Sequence, residues 1–154
     1  MAVYGPRVVG YLTGIDPVFM RFTAGGTFAK GDFVMIEGTT GEIIAATGGS
    51  SILGVARMAG TDGLANVKVD VTPGMKVLMD NDQDSETFDA QDELQYFDII
   101  AGTGAQIVNT DSNSGTKAQL LCLDYNPQGY GCDSDISMGL FLVVERSFAE
   151  QASA

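Results

Sequence analysis

The chain has 154 residues, 45% of them hydrophobic, and a formal net charge of −12. A chain of that length forms one ordinary domain and buries roughly 70% of its unfolded surface, so its core needs neither disulfides nor a metal. The eight basic residues, Arg7, Arg21, Lys30, Arg57, Lys68, Lys76, Lys117 and Arg146, are spread along the sequence without a cluster, which argues against direct nucleic-acid binding, since neutralising phosphates takes a basic stripe.

Residues 1–26 come first. Tyr4, Tyr11, Phe19 and Phe22 stand in a stretch broken by Gly5-Pro6, Gly14, Asp16-Pro17 and Gly25-Gly26. Residues 8–12 fit one short strand, and no single periodicity runs through the rest. Two readings follow: a segment that wraps and caps the domain, or an extended arm that lays its aromatics on another protein.

Residues 30–79 are a string of short apolar runs closed by glycine turns. Residues 33–36 are β-branched and aromatic enough for a strand. Glu37-Gly38-Thr39-Thr40-Gly41 supplies a turn and residues 42–46 return, which predicts a hairpin. Residues 52–56 make a third run. Residues 67–71, Val-Lys-Val-Asp-Val, alternate strictly, so one face is apolar and the other charged. Thr61-Asp62-Gly63 and Pro73-Gly74 are turn signals, and residues 75–79 begin another strand.

Residues 80–93 read DNDQDSETFDAQDE. Asp80, Asp82 and Asp84 alternate like the first ligands of a calcium loop. The sixth and twelfth positions, which such a loop fills with glycine and glutamate, hold Ser85 and Gln91. The plainer expectation is a solvated acidic loop.

Residues 94–100, 105–109, 116–125 and 139–146 supply four more strands, the last of them buried. A long polar connection, residues 126–139, precedes the final one and has the character of a binding loop. Residues 147–154 are an alanine-rich tail. Cys122 sits in an apolar run as a small buried hydrophobe, and Cys132 lies in a loop. Two free thiols is the plainer reading, with a disulfide between them as the other.

Catalytic chemistry is thinly represented. The absence of histidine removes histidine-based triads, histidine general bases and the usual zinc sites. There is no nucleophile elbow and no phosphate loop, and Gly102-Thr103-Gly104 does not extend into a dinucleotide fingerprint. A paired-carboxylate glycosidase usually stacks its sugar on tryptophan or tyrosine, and this chain has no tryptophan. The N-terminus lacks the basic region and apolar core of a secretory signal. The longest strongly apolar run, residues 140–144, is too short to span a bilayer. The expectation is therefore a soluble protein made in a cytoplasm, not an enzyme, without a cofactor and without membrane contact. Its fold class is all-β: a compact antiparallel barrel or sandwich with an extended N-terminal arm and long loops. Residues 1–26 form the arm or wrapping segment and residues 27–154 one β domain.

The run Phe28-Ala29-Lys30-Gly31-Asp32-Phe33-Val34, the hairpin through Gly41, and Leu53-Gly54-Val55-Ala56 resemble tailed-phage head decoration, or capsid cement, proteins of the small β-barrel kind. The alternating strand 67–71 closed by Pro73-Gly74 extends the resemblance. So do Tyr96-Phe97-Asp98-Ile99 and residues 106–109, and together these cover half to two thirds of the chain. The resemblance implies a structural virion protein, monomeric or trimeric, that binds the outside of an expanded shell. It would bridge copies of the major capsid protein as a homo-trimer on the capsid surface. By the same resemblance, Tyr4, Pro6, Tyr11, Phe19 and Phe22 would make the capsid contacts. Three other readings remain at this point. One is a different phage head or tail structural protein. Another is a ligand- or carbohydrate-binding β-module using Tyr125, Tyr130 and the 126–139 loop. The third is an enzyme that uses carboxylates.

Overall fold

A computed structural model describes residues 5–81, 88–101, 106–109, 119–130 and 138–144. The predicted strands that lie there are present. They are β1 (Arg7–Tyr11), β2 (Phe19–Phe22), β3 (Phe33–Ile36), β4 (Ile43–Ala45), β5 (Gly54–Ala56), β6 (Val67–Asp70), β7 (Met75–Asp80), β8 (Tyr96–Ala101), β9 (Gln106–Asn109), β10 (Leu120–Asp124) and β11 (Met138–Val143). They form two antiparallel sheets. One has six strands in the order β1-β7-β11-β10-β8-β9, and the other has five in the order β2-β6-β5-β3-β4. The molecule is an all-β sandwich rather than a closed barrel.

Local chemistry makes the connections. The β3–β4 hairpin sets Val34 opposite Ala45 and Ile36 opposite Ile43. Its turn closes through the Gly41 N–H donating to the Glu37 carbonyl at 2.9 Å, with Gly41 at φ +72°, a conformation that glycine adopts without a Cβ penalty. Between β6 and β7 the Pro73-Gly74 turn carries the chain from one sheet to the other. There the Gly74 carbonyl accepts from the Leu12 N–H at 2.9 Å.

The main core lies between the sheets. Phe33 and Val55 from the five-stranded sheet meet Met75, Val77, Met79, Phe97, Ile99, Leu120, Cys122, Phe141 and Val143 from the other. Phe88, Phe97 and Phe141 stack edge to face, with ring centroids 5.4 to 6.1 Å apart, the arrangement that ring quadrupoles favour. A second core, with Phe28, Val34, Ile43, Leu53, Val67 and Val69, fills the opposite face of the five-stranded sheet. That sheet curls around it until Ala24, just past β2, bridges Ile43 of β4.

Three expectations change. The stretch 80–93 is not a solvated loop throughout: Asp80 ends β7 with no exposure, and Phe88 is inserted into the main core. Asp89 then caps a single 3-10 turn, Ala90–Asp92, through a reciprocal capping box. Asp70 stands on the charged face of its strand yet is fully buried, because Tyr11 and Thr72 satisfy its carboxyl. Finally, β2 is a strand that the periodicity did not announce. Phe19, Met20 and Arg21 are all exposed and only Phe22 is partly covered, so no alternation marks it. Residues 7–22 thus enter both sheets, β1 at the edge of one and β2 at the edge of the other. Tyr4, Asp82, Asp84, Cys132, the glycine turn at 102–104 and the tail 147–154 lie outside the described residues. Among the described residues no helix is long and apolar enough to cross a membrane.

Candidate interaction surface

Side chains, rather than backbone ladders, join the two sheets at both seams. At one seam Gln106 of β9 is buried with its amide turned toward the five-stranded sheet. Its Oε1 accepts from the Phe33 N–H at 2.6 Å, and its Nε2 donates to the Phe33 and Ala46 carbonyls at 3.0 and 3.1 Å. Gln119, also buried, does the same beside it. It accepts from the Ile99 N–H at 2.9 Å and donates to the Thr47 and Ser50 carbonyls at 2.8 and 2.6 Å. At the other seam the Tyr11 hydroxyl of β1 donates to the Asp70 carboxyl of β6. Asp70 also accepts from the Thr72 N–H and hydroxyl, and Thr72 Oγ1 accepts from the Val18 N–H at 2.8 Å. Buried polar groups paired in this way fix a unique register between the sheets.

Beyond the second seam, β2 carries the exposed surface. Val18, Phe19 and Met20 are 41% to 45% exposed and lie along or just before the strand. Arg21 is opposite Lys68 of β6. The Arg57 N–H donates to the Lys68 carbonyl at 2.9 Å, which continues the β5–β6 register of Ala56 opposite Val69 by one residue. Residues directly opposite one another share a face, so Arg57, Lys68 and Arg21 form a cross-strand row of three cations, all exposed. Lys68 Nζ sits 4.6 Å from the centre of the Phe19 ring. The sequence distributes these residues as isolated charges, and the fold assembles them. The signal that pointed to one of them was the alternation in Val-Lys-Val-Asp, which turns Lys68 outward.

The residues singled out from the sequence fall in different places. Tyr4 lies outside the described residues. Pro6 is buried. Tyr11 is half-buried with its hydroxyl engaged by Asp70. Phe22 packs against the second core. Phe19 is the one whose ring lies in the exposed strip. Of the acidic trio, Asp80 is buried and Asp82 and Asp84 lie outside the described residues. Among the described residues no three His, Cys, Asp or Glu side chains gather where they could hold a metal. Tyr125 packs on the main core and Tyr130 on a third cluster with Leu78, Met138 and Leu140. The Tyr130 carbonyl accepts from the Arg7 guanidinium at 2.6 Å.

Among the described residues two groups titrate abnormally. Burial, then the bond to Asp70, pushes the Tyr11 hydroxyl up to about 12. Burial, with Asp92 adding to it, pushes the Cys122 thiol up to about 12. Cys122 is free and fully buried. Both groups therefore stay protonated at neutral pH, and neither has the lowered pKa of an activated nucleophile. The geometry supplies an apolar edge beside a cationic row, which suits contact with another macromolecule. No protein-family model, no curated protein and no solved structure matches the chain.

Proposed function

We propose that this chain is a structural virion protein that binds the outer surface of an expanded phage capsid and bridges neighbouring copies of the major capsid protein. In this reading it acts as a homo-trimer on the capsid surface after synthesis in the host cytoplasm. The resemblance of residues 28–34, 53–56 and 67–74 to capsid cement proteins supports it. The observation that carries it is the exposed apolar strip Val18-Phe19-Met20, presented at the edge of a sandwich whose seams are held by buried side-chain hydrogen bonds. Such a body offers a firm contact surface. Each contact can be modest, because many copies act on one shell and a trimer multiplies them.

Removing residues 1–26 does not test this reading cleanly, since β1 and β2 lie inside that segment and complete both sheets. Surface substitution does. The protein is mixed with expanded, undecorated heads and sedimented. The wild-type chain is expected in the pellet, and a Phe19→Ser, Met20→Ser double variant of unchanged melting temperature in the supernatant. A wild-type chain that stays in the supernatant across micromolar concentrations refutes the proposal.

A further inference from the structure

We infer that the free edge of β2 is a docking site for an acidic, extended segment of a partner protein, added beside β2 as a further strand. The inference does not rest on the capsid reading and holds whatever larger structure the partner belongs to.

The backbone carries the first part of the argument. The Val71 N–H donates to the Val18 carbonyl at 2.9 Å. Antiparallel ladders alternate, so Met20 and Phe22 bond toward β6, and the N–H and C=O groups of Phe19 and Arg21 point away from it. The same alternation is visible further on. The Thr23 carbonyl accepts from the Ile43 N–H at 2.9 Å, and the Gly25 N–H donates to the Ile43 carbonyl at 2.8 Å. Thr23 and Gly25 thus spend their outward groups on β4. Among the described residues nothing takes up those of Phe19 and Arg21. An exposed edge with apolar side chains is a template for strand addition unless something blocks it, and no proline or bulge interrupts β2.

Charge identifies the occupant. Like charges directly opposite on neighbouring strands destabilise a sheet, and Arg57, Lys68 and Arg21 stand in one such row. Among the described residues no carboxyl pairs with any of the three. A strand added next to β2 puts its own facing residue at the fourth place in the row, roughly 5 Å from Arg21. A carboxylate there relieves the repulsion. Two residues along the same strand, the facing position lies beside Phe19 and favours an apolar side chain. The segment that fits therefore reads acidic, any residue, apolar. A second copy fits poorly, because a two-fold pairing of β2 with itself brings two cationic rows together. A nucleic acid fits less well, because a row of three cations neutralises only a few phosphates and offers no extended basic stripe.

The test uses the whole chain and three probes: a short fluorescent peptide repeating Glu-Ser-Val-Ser, so that glutamate and valine alternate along one face, its lysine counterpart, and a single-stranded oligothymidylate. The glutamate peptide is expected to bind, weakening with salt, and to slow hydrogen exchange at the Phe19 and Arg21 amides. An Arg21→Glu, Lys68→Glu double variant is expected to lose about tenfold or more in affinity for it and to take the lysine peptide instead. If that variant does not fold, Arg57→Gln serves in its place, since its side chain lies outside every core, and a weaker glutamate peptide is expected. No binding of the glutamate peptide at millimolar concentration overturns the inference. Undiminished binding by a folded variant, or a preference for the oligonucleotide, overturns it equally. None of these results depends on binding to heads, so the two proposals fail separately.

Discussion

Gln106 and Phe33, 73 residues apart in sequence, exchange a pair of hydrogen bonds across the seam between the sheets. The Phe33 N–H donates to Oε1 at 2.6 Å, and Nε2 donates to the Phe33 carbonyl at 3.0 Å. The side-chain amide takes the place that a neighbouring strand would occupy, and with Ala46 it satisfies three buried backbone groups.

Replacing Gln106 by Leu keeps most of the volume and strips the Phe33 N–H and the Ala46 carbonyl of this partner, while the Phe33 carbonyl still accepts from the Ala46 N–H at 2.9 Å. Each buried group left unpaired costs about 1–3 kcal/mol, so a loss of about 2 kcal/mol or more is expected. The check is urea unfolding: the midpoint falls while the slope is unchanged. A loss below about 1 kcal/mol would mean the seam contributes little.

Tyr11 makes stability depend on alkaline pH. Its hydroxyl titrates near 10.0 in an unfolded chain and at about 12 in the folded one, so folding favours the protonated form. That contribution is intact below about pH 10 and is lost as the pH climbs toward about 12. Tyr11→Phe removes a donor from buried Asp70 and is expected to cost about 1–2 kcal/mol at neutral pH. It should also flatten this stretch of the stability profile. Parallel profiles for the two proteins would rule out Tyr11 as the source.

Cys122 reports on global opening. Fully buried, with its thiol pushed up to about 12, it should resist thiol reagents in the native state. In a Cys132→Ser background it should label only as fast as the main core unfolds, with denaturant accelerating the reaction. Rapid labelling under native conditions would contradict the burial.

Leu94 is held at φ +61° with 68% of its surface exposed. A branched residue in the left-handed region costs about 1 kcal/mol that glycine does not incur, against a smaller entropic penalty for glycine in the unfolded chain. Leu94→Gly is therefore expected to be neutral or to stabilise by about 0.5 kcal/mol. A clear fall in melting temperature would show that the exposed side chain makes a contact worth more than the strain.

Much of the fold was legible because its signals are local. The apolar runs at 33–36, 67–71 and 75–79 and the turns at Gly41 and Pro73-Gly74 each depend on a few adjacent residues, and they appear as β3, β6, β7 and their connections. The candidate surface was legible in Phe19, picked out by its aromatic ring, and in Lys68, turned outward by the alternation of its strand. β2 itself was not, because an edge strand exposed on both faces carries no alternation.

The sequence by itself determined an all-β chain and where most strands begin and end, since period-two patterning and glycine turns act over a handful of residues. Only the tertiary structure decided that the strands form a sandwich. It also decided that Asp70 and Phe88 are buried, that Gln106, Gln119 and Tyr11 hold the seams, and that Arg21, Lys68 and Arg57 stand in one row. For the residues on strands those relationships come from register between strands remote in the chain, and a change of one residue in register would turn side chains such as Asp70, Gln106 and Lys68 to the other face.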